Sequence, residues 1–339
     1  MNIQIKSYSP DLGSAKALIH QFDQKCLSES SPHWVDYFLG TTLLDSLTQL
    51  INQHIELVPP YCSVTKDQVD LILKTDNLWA IHYPSDDIPL IDRRIDLAVS
   101  GNQVIAAAQS NILKKHSSEG ENRSEFINYI PWIFSSPANQ DGAKLLLDHI
   151  IHQSLKLKCA TIEITERFSF GIGWFGIPKI WEHVITALET AHFIPTKKWI
   201  LMSTQLPKIR PDRLQAVDIP SDLKTNWKIS EANLDWVLEI CKGDTVIGES
   251  QVWGIPPHLS KSDGIQKWAM LEWLGVADLY KRQKIGSYLV QEQLRFQAQR
   301  NIQNLLLTTE YDNKAARDFL ERQKFTYGSE CWCFAKLLP

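Results

Sequence analysis

Hydrophobic and polar positions follow the same order of periods twice along the chain. In the first series, IDLAVSGNQVIAAAQSNIL has two apolar runs around Ser-Gly-Asn, which predicts a β-hairpin. The strand-like run FINYIPWIF follows, and GAKLLLDHIIHQSL then places its apolar residues at helical spacing. A buried strand (CATIEITE), a second helix (IPKIWEHVITALETAHF) and a last strand (KWILMST) complete this series, which covers about residues 94–204.

The second series covers about residues 234–338 and has the same order of elements. NLDWVLEICKGDTVIGESQVWGI predicts a hairpin that turns at Lys242-Gly243-Asp244. The strand KWAMLEWLGV, the helix GSYLVQEQLRFQAQR, the strand NLLLTTEY, the helix AARDFLERQKF and the strand TYGSECWCFAKLL follow. This repeat of element order predicts an α/β fold (an α+β mixed sheet) with two domains, each a twisted mixed sheet flanked by helices.

The predicted domain boundary lies in LPKIRPDRLQAVDIPSDLK, residues 206–224. This segment has three prolines and no clear period, which favours a linker. It separates an N-terminal domain over residues 1–205 from a C-terminal domain over residues 225–339. The first domain also carries a predicted strand at residues 2–8, one or two helices within residues 11–55 and a short helix capped by Thr65.

Composition narrows the class of protein. A chain of 339 residues that is 44% hydrophobic can build two cores, and a net charge of −4 argues against a general nucleic-acid-binding surface. No apolar run of about 18 residues and no signal-peptide layout is present, so we expect neither a membrane span nor a leader. The six cysteines are scattered without a CxxC pair, which is typical of free thiols in a cytoplasmic protein. His149 and His152 have no evident third ligand, so we expect no metal site.

A basic turn in LGVADLYKRQKIGSYLVQEQL, residues 274–294, is the strongest functional signal. Lys281, Arg282 and Lys284 lie between a predicted strand and a predicted helix, and Gly286 lies where that helix begins. The free N–H groups of a helix start bind anions, and a glycine there leaves room for a phosphate, so a pyrophosphate fits this turn. The alternative is a solvated turn with a glycine cap, and spacing alone does not decide between them. The segment itself contains neither GxGxxG nor a P-loop.

The basic turn resembles the coenzyme A-binding segment of the GNAT superfamily of N-acyltransferases. That family's pattern is Arg or Gln, two variable residues, Gly, one variable residue, and then Gly or Ala. Lys281 stands at the Arg/Gln position and Gly286 at the second glycine, whereas Lys284 replaces the first glycine. The resemblance implies that the strand before the turn splays away from its neighbour and holds an acyl-CoA thioester.

A later segment, DNKAARDFLERQKF, is similar to another part of the same family. Asn313, Ala316 and Phe325 match the family's residues, whereas Leu320 stands where the family has Tyr and Lys324 where it has Gly. The resemblance covers the second series by residue and the first series by element order. It therefore implies a tandem GNAT protein.

This resemblance implies that an acyl group is transferred from acyl-CoA to a primary amine of a small molecule or of a peptide side chain of the Lys or ornithine type. Acetyl is the default acyl group. Trp253, Trp268 and Trp273 lie near the predicted cleft and permit a longer acyl chain. No nucleic acid, membrane or metal is implied. The residues implied in acyl-CoA binding are Leu274, Gly275, Val276, Lys281, Arg282, Gln283, Lys284, Ile285, Gly286, Ser287 and Asn313.

Three side chains are candidates for proton transfer. Glu272 lies on the strand before the turn and could act as a general base, or it could be a carboxylate paired with a cation. Because Leu320 has no hydroxyl, Tyr311 and Tyr327 are the candidates for the acid, and each also fits an ordinary half-buried tyrosine. A backbone N–H near residues 274–276 would polarise the thioester carbonyl.

The N-terminal counterpart of the basic turn is ANQDGAK, which is short and carries an acid. We therefore expect the N-terminal domain to have lost coenzyme A binding and to shape the acceptor side, with the acceptor cleft between the domains. The aromatic loop FSFGIGWFG, residues 168–176, is predicted to pack or to line an apolar pocket. Two alternatives stay open: an acyl-CoA-binding module without catalysis, and an interaction scaffold without a cofactor.

Overall fold

A computed structural model of the protein describes residues 3–8, 40–75, 90–116, 124–164, 175–206, 219–230, 234–254 and 267–339. Three predicted features lie wholly or mostly outside the described residues. They are the helical pattern within residues 11–39, residues 207–218 of the linker and residues 168–174 of the aromatic loop.

The helices and strands confirm the predicted order of elements in both halves. The strands are β1 (Ile3–Tyr8), β2 (Leu90–Ser100), β3 (Gln103–His116), β4 (Ser124–Ser135), β5 (Cys159–Ile164), β6 (Ile177–Pro178), β7 (Ile194–Gln205), β8 (Lys224–Ser230), β9 (Asp235–Lys242), β10 (Thr245–Gly254), β11 (Trp268–Val276), β12 (Asn304–Glu310) and β13 (Thr326–Leu337). The helices are α1 (Thr41–Ile55), α2 (Lys66–Thr75), α3 (Gln140–Lys156), α4 (Glu182–Thr190), α5 (Ile285–Gln299) and α6 (Lys314–Arg322).

The first compact unit comprises Met1–Leu57, Ser63–Lys198 and Cys331–Pro339. Its strands lie in the order β1-β2-β3-β4-β5-β13, and β4 and β5 run parallel to each other. The predicted cap of α2 is confirmed, because the Gln68 N–H donates to Thr65 Oγ1 over 3.3 Å and the Thr65 N–H donates to Gln68 Oε1 over 2.7 Å. This reciprocal pair fixes where α2 begins.

The second compact unit comprises Val58–Cys62 and Trp199–Glu330. Its strands lie in the order β7-β12-β11-β10-β9-β8, and only β11 and β12 among these described neighbours run parallel. Helices α5 and α6 share one buried cluster with β12, because their apolar residues recur at helical spacing. The cluster includes Val290 and Leu294 of α5, Leu320 of α6, and Leu305 and Leu307 of β12.

Each half of the chain contributes its last strand to the sheet of the other unit. In the first unit β13 pairs with β5, with Phe334 opposite Ile164. In the second unit β7 pairs with β12, with Thr204 opposite Leu305. The compact units therefore differ from the predicted bounds, which keep each strand with its own half. The alternation of apolar residues indicates which face of a strand is buried, but it does not name the neighbouring strand.

The hairpin at residues 242–244 is confirmed, and two strands were not predicted, the two-residue β6 and β8. Strand β9 ends at Lys242 and β10 begins at Thr245, with Gly243 at φ 60°, where glycine is favoured. Strand β8 covers KTNWKIS, which was assigned partly to the linker. Most of its side chains are exposed, and Trp227 is the large apolar side chain that packs against the core, so its pattern is weak.

Candidate active site

Strand β11 separates from β12 part of the way along its length. The parallel pairing runs only from Trp268 opposite Asn304 to Met270 opposite Leu306. Beyond that point β11 stays paired with β10 as far as Val276, and β12 stays paired with β7 as far as Glu310. The second half of β11 therefore has an edge that forms no bridge with β12, as the resemblance implies.

The backbone N–H groups of Leu274 and Val276 lie along that edge. The Ala277 N–H donates to the Ile247 carbonyl of the β10 side over 2.9 Å. Because N–H directions alternate along a strand, the Gly275 N–H is also directed to β10, and those of Leu274 and Val276 are directed away from it. Two donors thus lie on the side that β12 leaves.

A β-bulge divides β11 at the same level. Gln251 lies opposite Trp273 and Val252 lies opposite Leu271, so Glu272 is the extra residue of the bulge. The Glu272 side chain is half-buried, and the Trp273 side chain is 56% exposed. The bulge thus brings a carboxylate and an indole to the start of the open edge.

The basic turn has a strained backbone and an internal ion pair. Lys281 Nζ lies 2.5 Å from Asp278 Oδ1, and this hydrogen bond lowers the pKa of the Asp278 carboxyl. Gln283 Nε2 donates to the Leu279 carbonyl over 3.2 Å and holds the turn closed. Arg282 and Lys284 have φ angles of 66° and 64°, in the left-handed region that favours glycine. Lys284, which stands where the family's pattern has a glycine, thus has a backbone conformation that glycine adopts without strain.

The first turn of α5 has no side chain that caps it. Lys284 is the N-cap and its side chain, which has no acceptor, makes no capping hydrogen bond, and the first turn carries no acid. The Tyr288 N–H is the first of this helix to reach a carbonyl one turn earlier, that of Lys284, over 2.9 Å. The N–H groups of Ile285, Gly286 and Ser287 therefore face outward from the helix start, where the helix dipole favours an anion.

A side chain as small as a methyl group fits at Gly286 beside these donors. A Cβ added there would lie 3.4 Å from Phe319 Cζ and 3.8 Å from Val276 Cγ2, which are ordinary contacts. Ser287 is held from the other side, because Gln323 Nε2 donates to its Oγ over 3.2 Å. The helix start fits a phosphate group: it has free donors, nearby cations and no carboxylate in its first turn.

Residues 202–325 match the family model described as Acetyltransferase (GNAT) family. Solved structures with a similar fold include a tandem GNAT protein from the clavulanic acid biosynthesis pathway, with a TM-score of 0.61 and 10% identity over 99% of this chain and 98% of that chain. The protein carries a GNAT domain within a tandem GNAT fold. A GCN5-related N-acetyltransferase from Sphaerobacter thermophilus has a TM-score of 0.54 and 11% identity over 98% of this chain and 95% of that one.

A third structure with this fold is a glucosamine N-acetyltransferase region of a fungal multi-domain β-N-acetylglucosaminidase. Its TM-score is 0.59 with 10% identity, over 99% of this chain and 38% of that chain. At these identities the likenesses show a shared fold. No curated protein sequence matches this chain significantly.

The GNAT domain places the remaining predicted residues in different surroundings. The Asn313 side chain is exposed and caps α6, accepting from the Ala316 N–H over 3.1 Å. Leu320 is 5% exposed and packs in the core. Lys324 has a φ of 71°, and the Phe325 N–H donates to the Leu320 carbonyl over 3.0 Å, which ends α6 in a Schellman motif. Lys324, like Lys284, thus takes a glycine conformation.

The two candidate tyrosines lie at different distances from the open edge in strand order. Tyr311 follows the last residue of β12, at the same end of the sheet as Val276, because β11 and β12 run parallel. The Arg317 guanidinium lies over the Tyr311 ring, 5.2 Å from its centre. Tyr327 lies on β13, and β7 and β12 intervene between that strand and β11. The sheet therefore brings Tyr311, rather than Tyr327, to the end of the sheet where the open edge lies.

The corresponding junction in the N-terminal half, between β4 and α3, is closed. Asn139 caps α3 by accepting from the Gly142 N–H over 3.2 Å, and Asp141 lies in the first turn. A Cβ on Gly142 would lie 2.7 Å from Ile105 Cδ1, so the helix start packs directly on β3. The last five residues of β4, 131–135, are all buried.

A pair of histidines, His54 and His183, lies at the end of β4, and no sequence pattern indicated it. His54 Nε2 and His183 Nε2 are 2.9 Å apart, and His183 Nε2 lies 2.8 Å from the Ser135 carbonyl oxygen. His54 Nδ1 lies 2.8 Å from the Leu50 carbonyl oxygen. Burial lowers the pKa of His54 to about 4 and also lowers the pKa of His183. The geometry therefore suits neutral imidazoles, with His183 donating to both neighbours and His54 donating to Leu50.

Two general properties complete the description. None of the described helices is long and apolar enough to cross a membrane. Within the part of the chain that the structure describes, no group of three or more His, Cys, Asp or Glu side chains is arranged to hold a metal ion.

Proposed function

We propose that the protein is an acetyl-CoA-dependent N-acetyltransferase whose donor site lies in the C-terminal GNAT domain. The observation that carries this proposal is the open edge of β11, which leads into an uncapped helix start beside three cations. The family model that matches this domain is that of acetyltransferases, which supports acetyl as the donor group. The acceptor is a primary amine of a small molecule or of a Lys- or ornithine-type side chain.

The donor is held in two places. The N–H groups of Ile285, Gly286 and Ser287 bind the pyrophosphate, with Lys281, Arg282 and Lys284 supplying positive charge around it. The open edge of β11, residues 274–276, takes the extended thioester arm by donating backbone hydrogen bonds to it. Acetyl-CoA supplies the acetyl group as a thioester.

During the reaction this chain stabilises developing negative charge and transfers protons. One backbone N–H of the open edge, that of Leu274 or of Val276, stabilises negative charge on the carbonyl oxygen of the thioester. The attacking amine must be neutral, and Glu272 at the bulge accepts its proton, directly or through water. The departing thiolate takes a proton from the Tyr311 hydroxyl or from solvent. Tyr327 stays a weaker candidate, because two strands separate it from β11.

The N-terminal half takes no part in donor binding in this proposal. Asn139 caps its helix start, and Asp141 lies in the first turn. A phosphate would therefore find one N–H group already hydrogen-bonded and a negative charge nearby. The buried end of β4 supports the same assignment.

The proposal is tested by thermal unfolding with acetyl-CoA, longer acyl-CoAs and free coenzyme A, followed by an assay of thiol release with amines. A ligand that binds only the folded protein raises Tm, and we expect acetyl-CoA to do so. Gly286→Glu places a carboxylate at the helix start and abolishes the shift. Gly286→Ala is the matched control, because the added Cβ finds room beside Phe319 and leaves the shift. An unchanged Tm with every thioester would contradict the proposal.

The second candidate function is acyl-CoA binding without catalysis. The buried Leu320 favours it, since the family has a tyrosine hydroxyl at that position. Glu272→Gln separates the two functions. If this variant loses acetyl transfer but still binds coenzyme A, the result supports an enzyme. If the wild-type protein binds coenzyme A but releases no thiol when amines are added, the result supports a binding module.

A further inference from the structure

Both halves of the chain carry a glutamine opposite a tryptophan at the bulge of the splayed strand. In the first unit Gln109 of β3 lies opposite Trp132 of β4, and in the second unit Gln251 of β10 lies opposite Trp273 of β11. The register shifts immediately after each pair. The two pairs therefore occupy equivalent positions, and their surroundings can be compared residue by residue.

In the first unit the tryptophan and the glutamine are buried and hydrogen-bonded to each other. Trp132 is fully buried, and its Nε1 donates to Gln109 Oε1 over 2.9 Å. Arg93 Nη2 lies 3.4 Å from the same oxygen. Phe134, two residues after Trp132, is also fully buried. The glutamine oxygen is thus used inside the protein.

In the second unit the amide nitrogen of the glutamine is bound to a carboxylate. Gln251 Nε2 lies 2.9 Å from Asp235 Oδ1 and 3.1 Å from Asp235 Oδ2. An ionised carboxylate only accepts hydrogen bonds, so the amide nitrogen of Gln251 must be the atom that faces Asp235. The amide oxygen is therefore the atom that Gln251 offers as an acceptor on the face shared with Trp273.

Trp273 is open where Trp132 is buried. Gly275, rather than a phenylalanine, stands two residues after it, and a Cβ there would lie 3.1 Å from Trp273 Nε1 and 3.3 Å from Cε2. The indole therefore lies over Gly275, 56% exposed. Leu274 and Val276 pack towards α5, so the alternation along β11 places Trp273 and Gly275 on the opposite face of the sheet.

That face carries negative charge beside the indole. Gly275 lies opposite Glu249, and Glu249 lies opposite Glu239. Glu239 is buried and accepts from Lys228 and Asn226, whereas Glu249 is half-exposed. An ammonium group fits this surface. It can lie over the exposed indole face and donate hydrogen bonds to the glutamine oxygen and to the half-exposed carboxylate.

We propose that Trp273 and Gln251 form a subsite for a second, positively charged amine of the acceptor, and that Asp235 positions the Gln251 oxygen. This inference rests on the proposed acetyltransferase function. The amine that is acetylated must be neutral when it attacks, so a cation held by the indole and by Glu249 is a different group of the same molecule. The acceptor class is therefore the aliphatic diamines and basic amino acids, lysine and ornithine included.

The experiment compares the rates of acetylation of 1,4-diaminobutane, ornithine and butylamine at saturating acetyl-CoA. The wild-type protein should prefer the diamine and ornithine over butylamine in kcat/KM by about tenfold or more, through KM. Trp273→Leu should remove most of that preference. Trp268→Leu is the matched control on the same strand, because Trp268 lies before the open stretch, and it should keep the preference.

Asp235 has its own test as a positioning residue. Asp235→Asn lets the Gln251 amide turn over, so the KM of the diamine should rise while its kcat is kept, and Asp235→Glu should restore part of the KM. A merely structural role would instead change Tm and kcat together.

The outcomes separate this subsite from the function on which it rests. If acetyl-CoA raises Tm and the protein acetylates butylamine and diaminobutane equally well, the subsite is refuted and the function stands. An unchanged preference in Trp273→Leu also refutes the subsite. If acetyl-CoA binds but no amine is acetylated, both proposals fall.

Discussion

The two junctions between a splayed strand and a helix share a frame and differ in their side chains. In the N-terminal half, parallel pairing of β4 with β5 ends at Ile130, and in the C-terminal half that of β11 with β12 ends at Met270. The first junction is then filled by buried aromatic side chains and a capped helix. The second ends at an exposed indole and an uncapped helix beside cations.

This difference teaches that the backbone of the fold does not by itself make a donor site. The site depends on what occupies the strand edge and the first helical turn. Asn139 caps the start of α3 and Asp141 places a negative charge in its first turn, whereas the first turn of α5 has neither a side-chain cap nor an acid. A few local substitutions are therefore enough to make the difference between the donor site proposed for one half and the closed junction of the other.

The largest expected effect comes from placing an acidic residue in the first turn of α5, where α3 carries Asp141. Gly286→Asp places a carboxylate in the second helical position, as Asp141 is placed in α3. Its charge would oppose a pyrophosphate, so the Kd for acetyl-CoA should rise about a hundredfold. Gly286→Asn has the same shape without the charge and should cost much less. Calorimetric titration measures both, and equal losses would show that shape rather than charge decides.

The next effect tests how the first junction is closed. Because the pKa of His54 is lowered from 6.5 to about 4 by burial, protonation favours the unfolded chain. The contribution of this group to the free energy of unfolding is fully present above about pH 6.5. It is lost as the pH drops towards 4, and the free energy of unfolding falls by about 3 kcal/mol. Unfolding in urea at several pH values measures this loss.

Two variants act as controls for the pH effect. His54→Gln should reduce the dependence between pH 6.5 and 4, because it removes one of the two histidines whose pKa burial lowers. His192→Asn, at an exposed histidine of the same unit, should keep the slope. A wild-type slope retained in His54→Gln would refute the role of this pair.

A smaller effect concerns lysines in the glycine conformation. Lys284→Gly should raise the free energy of unfolding by about 1 kcal/mol, because glycine adopts a φ of 64° without the steric cost. It should also weaken acetyl-CoA binding by removing a cation. Lys158→Gly, which ends α3 at a φ of 57°, should give a similar stabilisation with no effect on binding. Loss of stability in both variants would contradict this account.

The smallest effect tests the ion pair in the basic turn. Asp278 holds Lys281 in an exposed pair. Asp278→Asn frees the ammonium and removes a negative charge near the anion site, so affinity for acetyl-CoA should rise about threefold at low salt. The gain should disappear at high salt. A fall in affinity would mean that Asp278 orients the turn rather than competing with the ligand.

The sequence was sufficient to predict the order of the elements and the position of the basic turn. Apolar periods of 2 and 3.6 residues carry that information locally, as in GSYLVQEQLRFQAQR and CATIEITE. The exchange of β7 and β13 was not predictable, because both are regular apolar strands that would fit either sheet.

The candidate site was predicted in part. The spacing of Lys281, Lys284 and Gly286 indicated the helix start, but no pattern indicates that lysines occupy left-handed positions. The contact of Gln251 with Asp235 joins residues 16 apart, and only the register of the hairpin at Gly243 could have suggested it.

Hydrogen–deuterium exchange with and without acetyl-CoA tests the central claim directly, because it reports on both junctions in one sample. The account predicts slower exchange in peptides that contain residues 285–287 of α5 when acetyl-CoA is bound, and no change in peptides that contain residues 140–143 of α3. Slower exchange at the start of α3, or at neither helix start, would contradict it.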